Sequence, residues 1–227
     1  MSENTWPDLY ETASESDDLV MPDQPLPFLG DLVEFLDEED CERVLEVACG
    51  EGRNSQRFVE VVPDLEGCDL SEDALETCEE RCGDAMTTRH ADVRDLPYDD
   101  GDFETTVMLD ALTHLREVEL VLRELARVTE PGGYVVFNMP IEGDDAAEVG
   151  RLTHDHGVIE EYRYDEFDDE VVYTFVGDED DFETLLESYG LEIVATDEYE
   201  WRDPPHPPYR MQEHDHANVL VYARKTT

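Results

Sequence analysis

The segment Val44-Leu45-Glu46-Val47-Ala48-Cys49-Gly50-Glu51-Gly52-Arg53-Asn54 constrains this chain more than any other stretch. Val44, Leu45 and Val47 form a short, β-prone apolar run. Gly50 and Gly52 then allow positive φ and leave no Cβ between the backbone and a ligand. Asn54 and Ser55 offer side chains that cap a helix. An apolar strand, an acid near its end, a glycine turn and a helix start form a nucleotide-type site at the carboxyl end of a first strand. The same turn also serves as a plain strand-to-helix connection, so the residues that follow decide its meaning.

They continue the alternation. Residues 1 to about 24 are polar and acidic, with Trp6, Leu9 and Tyr10 as an isolated cluster. A helix is predicted around Phe28–Leu36, then strand Val44–Ala48, helix Ser55–Val61, strand Leu65–Asp69 and helix Glu72–Arg81. Strand Met86–His90, loop Asp92–Asp102, strand Thr105–Leu109 and helix Glu117–Val128 come next. The turn Glu130-Pro131-Gly132-Gly133 feeds strand Tyr134–Asn138. Helices between strands mean parallel βαβ units with right-handed crossovers. Ile141–Asp169 breaks the rhythm and reads as an insertion. Strand Val171–Val176, helix Asp180–Tyr189 and strand Leu191–Thr196 restore it. A Pro- and His-rich loop, Trp201–His216, leads into a last strand, Val219–Arg224, antiparallel to its neighbour. The expected organisation is one domain: a cap segment (1–40), a ligand-binding core (41–138), an insertion (139–170) and the rest of the sheet (171–227) with a substrate loop over 200–217.

Asp69 ends the second strand, 19 residues after Gly50, where an acid in a dinucleotide fold accepts from ribose hydroxyls. Capping the helix that starts after Ser71 is the equal alternative for Asp69 alone. Asp92 beside Val93 suits an adenine, one accepting from an exocyclic amine while the other packs on the ring. A dinucleotide fingerprint beginning at Gly50 fails, because Ser55 stands where the third glycine belongs and Glu46 has the wrong sign for a pyrophosphate.

In order and spacing, VLEVACGEGRN, GCDLSEDAL, HADVRDLPYDDGDFE and ARVTEPGGYVVF resemble the segments of class I S-adenosylmethionine-dependent methyltransferases from about Cys41 to Asn138. FETLLESYGLEIV and NVLVYARK extend the likeness. The resemblance implies a Rossmann-like three-layer α/β/α sandwich whose seven-stranded sheet is mostly parallel, with an antiparallel last strand. It implies that Glu46 holds the methionine amino group and that Ala48, Gly50 and Gly52 line the turn beneath the aminocarboxypropyl chain. Asp69 then takes the ribose hydroxyls, while Leu70, Asp92 and Val93 surround the adenine. Ala48 departs from the usual first glycine, and Glu104 from the usual Phe-Asp pair of the fourth strand.

The reacting end of such a sheet lies beyond the strand carboxyl ends. That puts Asp110, Thr113, His114 and Asn138 beside the transferred methyl group. His114 is the candidate base, since a free imidazole titrates near pH 6.5; packing at a helix start is its equal alternative. Asp110 is the second candidate catalytic residue. Trp6, Tyr10, Trp201, Arg202, Tyr209 and Arg210 are candidates for an acceptor pocket, with simple ion pairs the plainer reading of both arginines. His206, His214 and His216 with Glu213 and Asp215 offer metal-ligand types, but the expectation is no metal. The expected activity is methyl transfer to a small molecule at oxygen, nitrogen or carbon; a non-catalytic sensor or scaffold that binds the same cofactor is the alternative.

Fifteen basic residues face 62 acidic ones, a formal charge of −47, and the single lysine is Lys225. The acids run along the whole chain rather than forming a tail, while 40% of residues are hydrophobic. A folded protein with an acidic shell fits both facts and resembles proteins of salt-accumulating halophilic archaea. No basic patch is present to displace counterions, so nucleic acid is not an expected partner. Five cysteines without disulfide or zinc-ribbon spacing read as buried thiols. With no apolar run of membrane length and no leader-like segment, a cytoplasmic monomer or homodimer without membrane contact is expected. At about 1 M salt the Debye length falls to about 3 Å, which screens the self-repulsion. Thermal melts between dilute buffer and molar KCl should therefore show cooperative unfolding only at high salt; a full transition in dilute buffer without ligand would refute the salt requirement.

Overall fold

A computed structural model describes residues 5–16, 24–141, 143–145, 151–155, 158–163, 172–176, 179–205 and 212–227. In chain order the elements are α1 (Thr5–Ser16), α2 (Leu29–Glu38), β1 (Arg43–Val47), α3 (Ser55–Phe58), β2 (Asp64–Asp69) and α4 (Glu72–Cys82). These are followed by β3 (Met86–His90), β4 (Phe103–Met108), α5 (Val118–Val128), β5 (Thr129–Pro140) and the short strands β6 (Arg151–Asp155), β7 (Ile159–Arg163) and β8 (Val172–Val176). Helix α6 (Glu179–Ser188) precedes β9 (Leu191–Asp203) and β10 (His214–Lys225).

Seven strands form one sheet in the order β3-β2-β1-β4-β5-β10-β9. β1 to β5 are parallel, and β10 runs antiparallel to both β5 and β9. Strand alternation divides the side chains between two cores. Leu45 and Val47 of β1 face α5 and α6, where Val121, Leu122, Leu125, Phe182 and Leu186 are buried. Val44 faces the other way, among Leu32 and Leu36 of α2, Phe58, and Leu75 of α4. Each fully buried Leu or Phe contributes roughly 1.5–3 kcal/mol before entropy is counted. The result is the expected three-layer sandwich, with all parallel strands ending on one rim.

The differences from the expected elements have local causes. The predicted helix Ser55–Val61 stops at Phe58, because a β-branched pair and Pro63 follow at once. Glu130-Pro131-Gly132-Gly133 is a bulge inside one long strand, since Phe103 pairs with Thr129 and Thr105 already pairs with Tyr134. Val172–Val176 does not join the main sheet; it closes a separate antiparallel sheet, β6-β7-β8, built largely from the presumed insertion. Trp201–Asp203 and His214–His216, expected as loop, extend β9 and β10 as paired strand. The polar N-terminus contains a helix, α1, that the sequence reading did not anticipate. Glu104 points away from the strand ends, accepting from the backbone N–H groups of Glu42 and Arg43 at the start of β1.

The bulge gives a clean test. A Cβ on Gly133 would sit 2.1 Å from the Glu104 carbonyl oxygen, whereas at Gly132 (φ +92°) it would meet open space. Denaturant melts should show Gly133→Ala losing at least about 2 kcal/mol through overpacking. Gly132→Ala should lose only about 1 kcal/mol from its left-handed backbone; equal losses would refute the steric account.

Candidate functional site

The turn after β1 owes its shape to three consecutive departures from ordinary backbone. Ala48, Gly50 and Gly52 all take positive φ, at 56°, 53° and 76°. Asp69 at the end of β2 fixes this turn. One carboxylate oxygen accepts from Gly50 N at 2.9 Å and the other from Ser71 N at 2.9 Å. Ser71 caps α4 through its own hydroxyl. The two alternatives for Asp69, ligand rim and helix-start support, are thus not exclusive. Burial pushes its carboxyl upward against these hydrogen bonds.

A cleft opens above this turn. Ala48, Gly50 and Asp69 line one part, and Leu70, Asp92 and Val93 line another. Asp110 and His114 also line it. Asp92 is gripped by Arg94 at 2.6 Å, a contact that holds its carboxyl below the usual range. Gly52 faces α4, where a Cβ would sit 2.8 Å from Cys78 Sγ, so its role is close packing beneath the turn. All five cysteines are buried free thiols.

Glu46, expected to meet the ligand, lies below the turn outside the cleft lining, only 2% exposed, and accepts a hydrogen bond from Ser55 Oγ. Burial pushes its carboxyl up to about 8 against that bond. The buried Ser55, at the place of a third fingerprint glycine, is therefore the partner of this acid.

Helix α1 covers the cleft from outside. The Tyr10 hydroxyl reaches the Gly50 backbone so closely that a Cβ there would lie 2.8 Å away. The Trp6 ring tilts against His114, with centroids 4.7 Å apart. Tyr10 therefore stands over the glycine turn, while Trp6 reaches His114. His114 is 5% exposed in the turn after β4. The small sheet docks on the same turn: Thr113 Oγ1 donates to the Thr174 carbonyl, and Arg116 pairs with Glu161 at 3.2 Å.

Asp110 takes positive φ (52°), costly for a residue with a Cβ. Asn138 holds it there, accepting from Asp110 N at 2.7 Å and donating to Asp110 Oδ1 at 2.9 Å. Asn138 is 1% exposed and also donates to Asn218, so it supports the cleft floor instead of meeting an acceptor directly. The other Asp110 oxygen pairs with Arg53 at 2.8 Å. Sequence reasoning missed Arg53; an arginine inside the glycine turn of a base-poor chain was the available signal. Arg202 is exposed and paired with Asp215, outside the cleft lining, as the plainer reading had it. Trp201 stacks on His216 with centroids 4.6 Å apart. Tyr209, Arg210 and His206 lie outside the described residues.

The comparisons agree with this geometry. Residues 45–137 match the methyltransferase domain model. A demethylmenaquinone methyltransferase of Streptomyces griseus is 35% identical over 109 residues, which are 45% of this chain and 44% of that protein. The chain thus spans less than half the length of this relative. Among solved structures, the magnesium protoporphyrin IX methyltransferase of Synechocystis, with bound S-adenosylmethionine, superposes with a TM-score of 0.64 at 14% identity, covering 98% of this chain and 96% of that one. The 1,6-didemethyltoxoflavin-N1-methyltransferase of Burkholderia thailandensis, with bound S-adenosylhomocysteine, gives 0.63 at 16% identity, covering 99% and 87%.

Glu46 sets a pH dependence. Its carboxyl is raised in the fold, so the native state holds a proton that the unfolded chain has released. Its contribution is fully present below about pH 4.5 and declines until about pH 8. Glu46→Gln should therefore gain stability relative to the parent as pH rises through that window, by a few kcal/mol at the top. A pH-independent difference between the two would refute the assignment. Residues 45–137 thus resemble the methyltransferase domain, and the chain takes the fold of methyltransferases solved with S-adenosylmethionine or S-adenosylhomocysteine bound.

Proposed function

We propose that this chain binds S-adenosylmethionine in the cleft and transfers its methyl group to a small-molecule acceptor. The observation that carries the reading is one cleft lined together by the glycine turn, the buried Asp69, and Asp110 with His114. The residues suit a cationic amino acid joined to a nucleoside. Gly50 lets the turn take its left-handed backbone beneath Tyr10, Asp69 keeps lone pairs for ribose hydroxyls, and Leu70 and Val93 provide apolar surface for a base. Glu46, buried and reluctant to ionise alone, gains a counter-charge from an ammonium group. A pyrophosphate would meet that acid with the wrong sign.

The bound cofactor supplies an activated methyl group on a sulfonium. The protein has to align an acceptor, exclude water and take up a proton where the acceptor loses one. Trp6 and the small sheet close the reacting end and fix the turn that carries His114. His114 is the base; Asp110, pinned by Asn138 and Arg53, shapes the floor on which the acceptor rests. Tyr10 closes the donor end over Gly50. Oxygen, nitrogen and carbon acceptors all remain compatible with this arrangement. The acidic shell is read as adaptation to high salt.

Calorimetry in molar KCl tests the donor half. S-adenosylhomocysteine should bind, Asp69→Ala should weaken binding by about 10-fold or more, and binding at pH 7 should release a proton from Glu46 that Glu46→Gln does not release. Absence of binding would overturn the proposal. With a competent acceptor, His114→Asn should lower turnover by about 10²-fold or more while leaving S-adenosylhomocysteine affinity unchanged; unaltered turnover would remove the base.

A further inference from the structure

The paired ends of β9 and β10 bring together three groups that the cleft does not use. Asp203 lies opposite His214 across the ladder, and His216 lies two residues further along β10. One ligand atom from each of Asp203, His214 and His216 falls within 4.8 Å of the others. The two imidazoles meet edge-on with centroids 4.7 Å apart, and His216 Nε2 already stands 3.6 Å from Asp203 Oδ2.

The second nitrogen of each imidazole is engaged elsewhere. His216 Nδ1 faces Asp144 Oδ2 at 3.2 Å, and His214 Nδ1 faces the Gln212 carbonyl at 3.1 Å. With Nδ1 as the donor in each contact, Nε2 is the nitrogen that can turn to a metal, once His216 has lost its proton there. A histidine held through its far nitrogen by a carboxylate or carbonyl is the usual outer arrangement of a metal-bound imidazole. Trp201 stacked on His216 fixes the ring from one side.

We propose that Asp203, His214 and His216 bind one divalent transition-metal ion of the zinc type. Two imidazoles distinguish this place from the many carboxylate clusters on the surface, which favour magnesium or calcium. Zinc bonds of about 2.0–2.1 Å need ligand atoms about 3.4 Å apart, a contraction that side-chain rotation provides. Binding replaces any proton on His216 Nε2 with the metal and releases that proton to solvent.

Three protein ligands leave a fourth position for water or an oxygen or nitrogen donor. The site also connects to the methyl-transfer cleft. Asp144 accepts from Asn218, Asn218 from Asn138, and Asn138 donates to Asp110. Occupancy would therefore stiffen the support of Asp110.

The test uses the full chain, freed of metal by chelation and held in molar KCl with excess magnesium to occupy acidic surface. Titration with zinc chloride alone should give one saturable equivalent. His214→Ala and His216→Ala should each abolish it, and Asp144→Asn should weaken it about 10- to 100-fold. Should the histidine variants fail to fold, the cobalt(II)-loaded parent provides the second readout. It should show two paramagnetically shifted, exchangeable imidazole N–H protons in its NMR spectrum. No stoichiometric zinc event, one that persists in folded histidine variants, or a cobalt form without shifted imidazole protons would overturn the site.

Discussion

Asp69 is the carboxylate on which the cleft depends. By accepting from Gly50 N and Ser71 N it ties the turn after β1 to the turn after β2. The first turn cannot hold itself, because Ala48, Gly50 and Gly52 all occupy left-handed backbone. A glycine escapes the steric cost of that region but carries more chain entropy, while Ala48 bears the cost directly. The acid offsets both with two charge-assisted hydrogen bonds in a buried place. The same group therefore shapes the binding turn and remains on its rim.

The reacting end is organised differently, by uncharged amides. Asn138 and Asn218 sit between Asp110 on one side and Asp144 on the other. An amide presents a donor and an acceptor at once, so it can satisfy a strained backbone N–H and a carboxylate together. Asp144 in turn holds His216, where burial works against charge but Asp144 and Asp203 outweigh it, moving the imidazole up to about 9. Polar contacts thus run continuously between the strand ends of β4, β5 and β10.

The parallel strands and their helices were legible because apolar runs, glycines and helical spacing agree there. Met86–His90 matches β3, and Glu72–Arg81 falls one residue short of α4. Helix α1 was not legible, since among its described side chains only Tyr10 and Ala13 are buried while Asp8 and Glu11 are exposed. The small sheet was hidden for a related reason: Glu160, Glu161 and their acidic neighbours blur the alternation that marks a strand. In the candidate site, Glu46, Asp69 and the glycines could be read from local spacing. The Arg53–Asp110 pair spans 57 residues and the Asp203–His216 contact crosses a hairpin, so neither shows in a linear pattern. Reading 201–216 as loop also put Glu213 and Asp215 beside the histidines, where the cross-strand partner is Asp203.

The segment between β4 and α5 meets several parts of the chain that lie outside the sequence match or at its border. Trp6 of α1 rests on His114, β8 bonds to Thr113, β7 pairs with Arg116, and Asn138 grips Asp110. Those outer parts reach this segment from separate stretches of sequence, and α1 also touches the glycine turn through Tyr10. Evolution can therefore exchange the helix or the small sheet one at a time, like jaws on a common vice. Diversification of what is gripped need not disturb the turn after β1, and the stretch that matches the methyltransferase model, residues 45–137, leaves α1 and the small sheet outside it.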